Sequence, residues 1–222
     1  MLSEEVIDGF IAKYLKDGQA IGIGSGKEGE TFLKRIALKK EEEKLQVKVV
    51  PTSAQMASLL AQLHIESISL EEKELDLAIE FVDLATKDYD FVKRNSASFI
   101  RDKMIAQSAE TLVIVTNKKN YASMLYGVVP FEICSFGWKH TLLQLDSLGA
   151  AKIRMKENTQ YKTESGNYVV DVLTDQIPFP EEFEMHSKNI PGVIETGLFV
   201  GYADRIVLYD GKIEVKSRIE FE

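Results

Sequence analysis

Short apolar runs that alternate with amphipathic helical patterns constrain this chain most. Ala20 to Ile23, Gln46 to Val50, Leu75 to Ile79 and Thr111 to Thr116 have strand length. The last is almost uninterrupted, as parallel strands covered on both faces are. Helical spacing separates them. Ser3 is placed to cap a helix whose stripe is Val6, Ile7, Phe10, Ile11, Tyr14 and Leu15, ended by Gly18. Further helices are expected from Glu28 to Lys39, from Ala54 to Leu63 behind an N-cap at Ser53, and from Ser96 to Glu110, with Glu41 to Lys44 a solvated turn and Ile65 to Leu70 a weak strand. Strands alternating with helices predict an α/β fold with a doubly wound, mostly parallel sheet.

The first strand leads into Gly24-Ser25-Gly26-Lys27 and then a helix, the context in which backbone N–H groups cradle a phosphate. The next glycine is Gly29 and no Gly-Lys-Ser/Thr ending follows, so neither a nucleotide loop nor a dinucleotide fingerprint is complete. A tight turn that needs glycine reads the same way. Thr52 and Ser53 close the second strand at another strand-to-helix junction, where small hydroxyls can meet a ligand.

Between Leu75 and Thr116 lie Glu80, Asp83, Lys93, Arg101, Asp102 and Lys103, a mixture of acids and bases just past the carboxyl end of a strand. Open α/β sheets bind ligands there, although the default for so charged a segment is a solvated loop. Asp83, Asp88 and Asp90 supply oxygens for a divalent cation, but Lys87 sits among them and no complete ligand set is visible. From Pro130 the rhythm changes. A strand over Phe131 to Ser135, a helix over Gly137 to Leu148, strands over Lys152 to Met155 and Tyr168 to Leu173, and a short helix over Glu181 to Ser187 predict a small antiparallel α+β module. Asp210-Gly211 between Arg205 to Tyr209 and Lys212 to Val215 predicts a hairpin.

Composition narrows the function. The chain has 222 residues, 45% of them hydrophobic, enough to bury a sizeable core. A formal net charge of -8 argues against nucleic acid or an anionic membrane as a partner, so an anionic ligand needs a local pocket. No run approaches the roughly 18 apolar residues of a membrane span, and Met1 to Glu5 lacks the features of a leader, so a cytoplasmic protein is expected. Cys134 sits in an apolar run and reads as a small buried hydrophobe. His64, His140 and His186 lack ligand-like spacing, so no metal site is expected.

Several stretches together resemble type A ribose-5-phosphate isomerase: Gly22 to Gly26, Val50 to Ser53, Arg101 to Ala106, Pro130 to Ile133, Ser165 to Asn167 and Ile190 to Phe199, in order along nearly the whole chain. The resemblance implies a Rossmann-like domain over 1–127 plus 200–222, with a smaller ferredoxin-like domain over 128–199. It also implies interconversion of ribose 5-phosphate and ribulose 5-phosphate through an enediolate, without cofactor or metal, in a homo-oligomer, a dimer being expected. Such chemistry needs a carboxylate to move a proton between adjacent carbons and a donor to stabilise the oxyanion.

Carried over by motif, the base is Asp102, where the family has glutamate, and the stabilising lysine is Lys93. Asp83 and Glu80 are what remains of an acid-rich loop and would assist ring opening and hydroxyl proton transfer. Gly24, Ser25, Gly26, Lys27, Thr52, Ser53 and Lys119 would hold the sugar phosphate. The chain departs from the family at these places: Arg94, Asn95 and Ser96 replace glycines after Lys93, and Lys27-Glu28 replaces Ser-Thr. Such departures on a kept scaffold leave a second reading open, a non-catalytic relative that binds a sugar phosphate.

Overall fold

The computed structural model describes residues 2–218. They divide into two compact units. One holds the chain up to Phe81, Met104–Lys118 and the chain from Ala203; the other holds Val82–Lys103 and Lys119–Tyr202.

The first unit is a seven-stranded sheet in the order Ile213–Ser217, Arg205–Tyr209, Leu112–Asn117, Leu77–Phe81, Ala20–Ile23, Lys48–Pro51, Glu66–Ser67. Every pairing is parallel except that of the terminal hairpin. Ala20–Ile23 is buried throughout and Leu112–Asn117 at all but Asn117, which is why they read as nearly continuous apolar runs. Ile7, Phe10, Ile11, Phe32, Leu33 and Ile36 cover the sheet from the Glu4–Tyr14 and Lys27–Glu43 helices. From Ala20–Ile23 the chain first runs outward through Lys48–Pro51 and Glu66–Ser67, then returns to Leu77–Phe81 on the other side. The strand order therefore reverses between Ala20–Ile23 and Leu77–Phe81, where such sheets open a crevice.

Four expected boundaries move. Glu41 to Glu43 continue the second helix because Lys39 reaches Glu43 at 2.7 Å, and the helix stops at Lys44, which is left-handed at φ 57°. The expected Ile65 to Leu70 strand shortens to Glu66–Ser67, an edge pairing with Lys48–Pro51. Phe99–Ser108, not Ser96 to Glu110, is helical. The last hairpin turns through Asp210, Gly211 and Lys212, with Gly211 at φ 98°.

The second unit contains an antiparallel sheet ordered Ala150–Ile153, Tyr168–Ile177, Leu125–Ile133, Val193–Thr196, with helices Trp138–Leu145 and Pro180–Lys188. Numbered along the chain, its strands stand in the order 2-3-1-4. That is the ferredoxin-like arrangement. The first strand begins at Leu125, six residues before the expected Phe131, and pairs with Tyr168–Ile177 over its whole length. Beside this sheet, four short strands pair in the order Leu198–Phe199, Phe91–Val92, Leu84–Thr86, Tyr121–Ala122. Among the described residues, no helix is long and apolar enough to cross a membrane.

Candidate active site

At the reversal point of the parallel sheet, Ile23 is registered against Ile79, and Gly24 N donates to Ile79 O at 2.8 Å. That places Gly24 against Glu80. A Cβ on Gly24 would run into the Glu80 carboxylate, which is fully buried. Gly26 is at φ 101° and ψ 179°, a conformation open to glycine alone. The helix behind the turn starts at Lys27, and its third residue, Gly29, packs on the turn so closely that a Cβ there would strike the Gly24 carbonyl oxygen. Gly29→Ala is therefore expected to cost about 1–3 kcal/mol of stability by overpacking, read as a lower denaturant midpoint.

Thr52 and Ser53 already have structural work. The Thr52 hydroxyl donates to Ile23 O at 3.1 Å, tying two strand ends together, and Ser53 Oγ accepts from Met56 N as the N-cap of Ala54–Gln62. Lys27 is exposed at the helix start. Lys119, the first residue of its segment of the second unit, is exposed in the short helical turn Lys118–Asn120.

In the second unit, Asp83 and Lys93 flank the open end of the Leu84–Thr86 and Phe91–Val92 pair. Asp83 N donates to Val92 O at 3.0 Å, and its carboxylate accepts from Arg94 N at 2.6 Å. On the other side, Lys93 N donates to Gly197 O at 2.8 Å. The backbone of Lys93 is thus fixed between two segments, and its Nζ meets Asp102 Oδ2 at 2.6 Å. Lys93 is 2% exposed and Asp102 0%. Asp102 Oδ1 is buried with no hydrogen-bond donor among the described residues. The charged segment is therefore not the solvated loop that its composition suggested: Glu80, Lys93, Asp102 and Lys103 are all buried.

Asp102 lies in the first turn of the Phe99–Ser108 helix, where its charge complements the helix dipole. Its neighbour Lys103 anchors that turn. The ammonium pairs with Glu184 and with Glu195 at 2.6 Å, and lies over the rings of Phe199 and Tyr202. Burial, ahead of the nearby Glu184 and Glu195 charges, holds the Tyr202 hydroxyl above its ordinary pKa. Arg94, where the resemblance implies glycine, turns onto the carbonyls of Tyr126 and Val128, both at 3.3 Å. It latches the Lys93 loop to the antiparallel sheet.

The sequence-level candidates thus fall into sets. Gly24 and Glu80 meet in the first unit; Lys93 and Asp102 meet in the second, with Asp83 on the residue after Lys93. Two residues escaped notice as functional. Glu132 is a fully buried acid in the Leu125–Ile133 strand, and Gly197 sits where a Cβ would strike Lys93 O and Pro130. The signal for the first was one acid inside an otherwise apolar strand. For the second there was none beyond the family motif. A cavity of about 510 Å³ in the second unit, lined by residues including Gly149, Ile177, Phe179 and His186, contains none of the candidates.

Several known proteins resemble this chain in sequence and fold. The family described as ribose 5-phosphate isomerase A (phosphoriboisomerase A) matches residues 48–212. A relative from Prochlorococcus marinus, "Ribose-5-phosphate isomerase A", is 36% identical over 208 residues, which is 90% of this chain and 89% of the relative. Ribose 5-phosphate isomerase from Plasmodium falciparum superposes with a TM-score of 0.90 at 24% identity, over 97% of both chains, a likeness of fold. A D-ribose-5-phosphate isomerase in complex with phospho-erythronic acid superposes with a TM-score of 0.90 at 25% identity, again over 97% of both chains. With the family matched over most of its length, this chain belongs to the ribose 5-phosphate isomerase A family.

Proposed function

We propose that the chain is an aldose–ketose isomerase that interconverts ribose 5-phosphate and ribulose 5-phosphate through an enediolate. With the sugar open as the aldehyde, the Asp102 carboxylate takes the proton from C2. The electron pair moves onto O1, and the acid so formed returns the proton to C1. A proton passes from O2 to O1, and the ketose results. Lys93 stabilises the charge that develops on O1, an interaction stronger in the transition state than in the ground state. Glu80 and Asp83 assist ring opening and the hydroxyl proton transfer. Gly24, Ser25, Gly26, Lys27, Thr52, Ser53 and Lys119 take the phosphate end. In this reading the enzyme is a cytoplasmic homodimer and uses neither metal nor cofactor.

The buried Lys93–Asp102 pair carries the reading. Burying two charges costs on the order of several kcal/mol per ion, and an apolar pair of the same size is often as stable or more so. Asp102 Oδ1 adds a further cost, since no donor among the described residues meets it. An arrangement so expensive for folding is what a proton-transfer site requires.

Steady-state conversion of ribose 5-phosphate to ribulose 5-phosphate tests it. Turnover is expected, undiminished by a chelator and inhibited competitively by phospho-erythronic acid, the ligand of the related structure. No turnover above the Asp102→Asn level would overturn the isomerase reading. Binding of phospho-erythronic acid without turnover would favour the non-catalytic relative.

A further inference from the structure

We infer that Glu132 is a positioning residue for Asp102, a role that rests on the isomerase reading and adds to it a residue that touches no substrate. Glu132 is fully buried in the Leu125–Ile133 strand, and among the described residues every partner of its carboxylate is a neutral donor. Thr163 Oγ1 donates to Oε1 at 2.8 Å and Asn167 Nδ2 at 2.9 Å. Ser98 Oγ and Ile100 N each reach Oε2 at 3.2 Å. A buried carboxylate without a counter-ion is unfavourable unless donors converge on it, and here they do.

Two of those donors belong to the start of the helix that carries Asp102. Ile100 N is among the first amides of Phe99–Ser108, which have no acceptor within the helix. Ser98 O accepts from Asp102 N at 3.1 Å, and Ser98 Oγ also contacts Ser165 Oγ at 2.9 Å. The Glu132 carboxylate therefore grips the turn on both sides of Ser98 O, the group to which Asp102 is bonded. Thr163 and Asn167, from a turn closed by Gly166 at φ 83°, hold the carboxylate from the other side.

The same strand also fixes Lys93. Pro130 O accepts from Gly197 N at 2.8 Å, and Gly197 O accepts from Lys93 N at 2.8 Å. One strand thus sets the base through its side chain and the lysine through its backbone. Misplacing the base by about 1 Å can cost about 100-fold in rate.

Glu132→Gln keeps the shape but turns one acceptor into a donor that faces another donor. Measured on protein shown to be folded by circular dichroism, it is expected to lower kcat at least about tenfold while KM changes less than about threefold. Because Glu132 acts through Asp102, adding Glu132→Gln to Asp102→Asn is expected to lower kcat by less than about twofold more. Glu132→Gln with Asn167→Asp, which exchanges donor and acceptor across one contact, is expected to recover at least about threefold of the lost kcat. Should Glu132→Gln not fold, Thr163→Val and Asn167→Ala serve instead, each expected to lower kcat about threefold or more at unchanged KM, and not in the Asp102→Asn background. Wild-type kcat in a folded variant, or losses that multiply with Asp102→Asn, would overturn the positioning role. A wild-type protein without turnover would instead refute the isomerase reading itself.

Discussion

Asp102→Asn is expected to lower kcat by about 10² to 10⁴, the usual contribution of a positioned general base, with KM for ribose 5-phosphate changed only a few-fold. The asparagine fills the same volume and still offers Lys93 an oxygen, but it cannot take a proton from carbon. Stability should fall as well. Lys93 is 2% exposed, and losing the charged partner of a buried pair costs about 3–5 kcal/mol, a value that the remaining carbonyl acceptor lowers. The double variant Lys93→Met, Asp102→Leu separates the two effects. It removes both charges, so it is expected to resist urea better than either single variant and to have no turnover. Urea midpoints and steady-state rates on the same preparations check both statements.

Gly197→Ala is expected to be almost as damaging, although Gly197 carries no chemistry. A Cβ there would run into Lys93 O and would come within 2.5 Å of Pro130 Cγ. Neither obstacle is the free end of a flexible side chain. Gly197 also donates to Pro130 O and accepts from Lys93 N, both at 2.8 Å, so the backbone has no slack. Overpacking at such a site costs about 1–3 kcal/mol. Relief comes by moving Lys93, so kcat should fall about 10- to 100-fold even in the folded fraction. Thermal melts beside kcat at a temperature below the variant's transition would show both losses. A folded variant with wild-type kcat would mean that the Lys93 backbone is not held by this contact.

How far the sequence foretold this architecture depended on which residues carried the signal. The parallel sheet was legible because Ala20 to Ile23 is buried throughout and Thr111 to Thr116 nearly so, which leaves almost uninterrupted apolar runs. Ser3 and Ser53 marked helix starts through their caps, and both accept the expected backbone N–H groups. Glu41 to Lys44 misled because four charged residues look like a turn, while Lys39 with Glu43 makes them a helix end. The Leu125–Ile133 strand was underestimated because Tyr126 and Gly127 precede a proline. Pro130 is tolerated there because the neighbouring Val193–Thr196 strand pairs only as far as Phe131.

The charged segment from Glu80 to Lys103 could not be read as buried by composition, since its burial depends on strand pairs of two and three residues. Such pairs leave no periodicity. Asp102 and Lys93 were named through the family motif, and their meeting at 2.6 Å follows from tertiary placement alone. Arg94 is one of the residues that replace glycines after Lys93. Its guanidinium meets two carbonyls of the antiparallel sheet, 34 and 32 residues away in sequence, a placement that only the tertiary structure sets.

Isomerisation in deuterium oxide tests the role of Asp102 most directly. A carboxylate that lifts the proton from C2 and returns it at C1 exchanges some of it with solvent, so the wild-type protein is expected to place deuterium at C1 of ribulose 5-phosphate, and Asp102→Asn none above the uncatalysed background. Deuterium appearing at C1 with folded Asp102→Asn at the wild-type rate would contradict it, and another group would have to be the base.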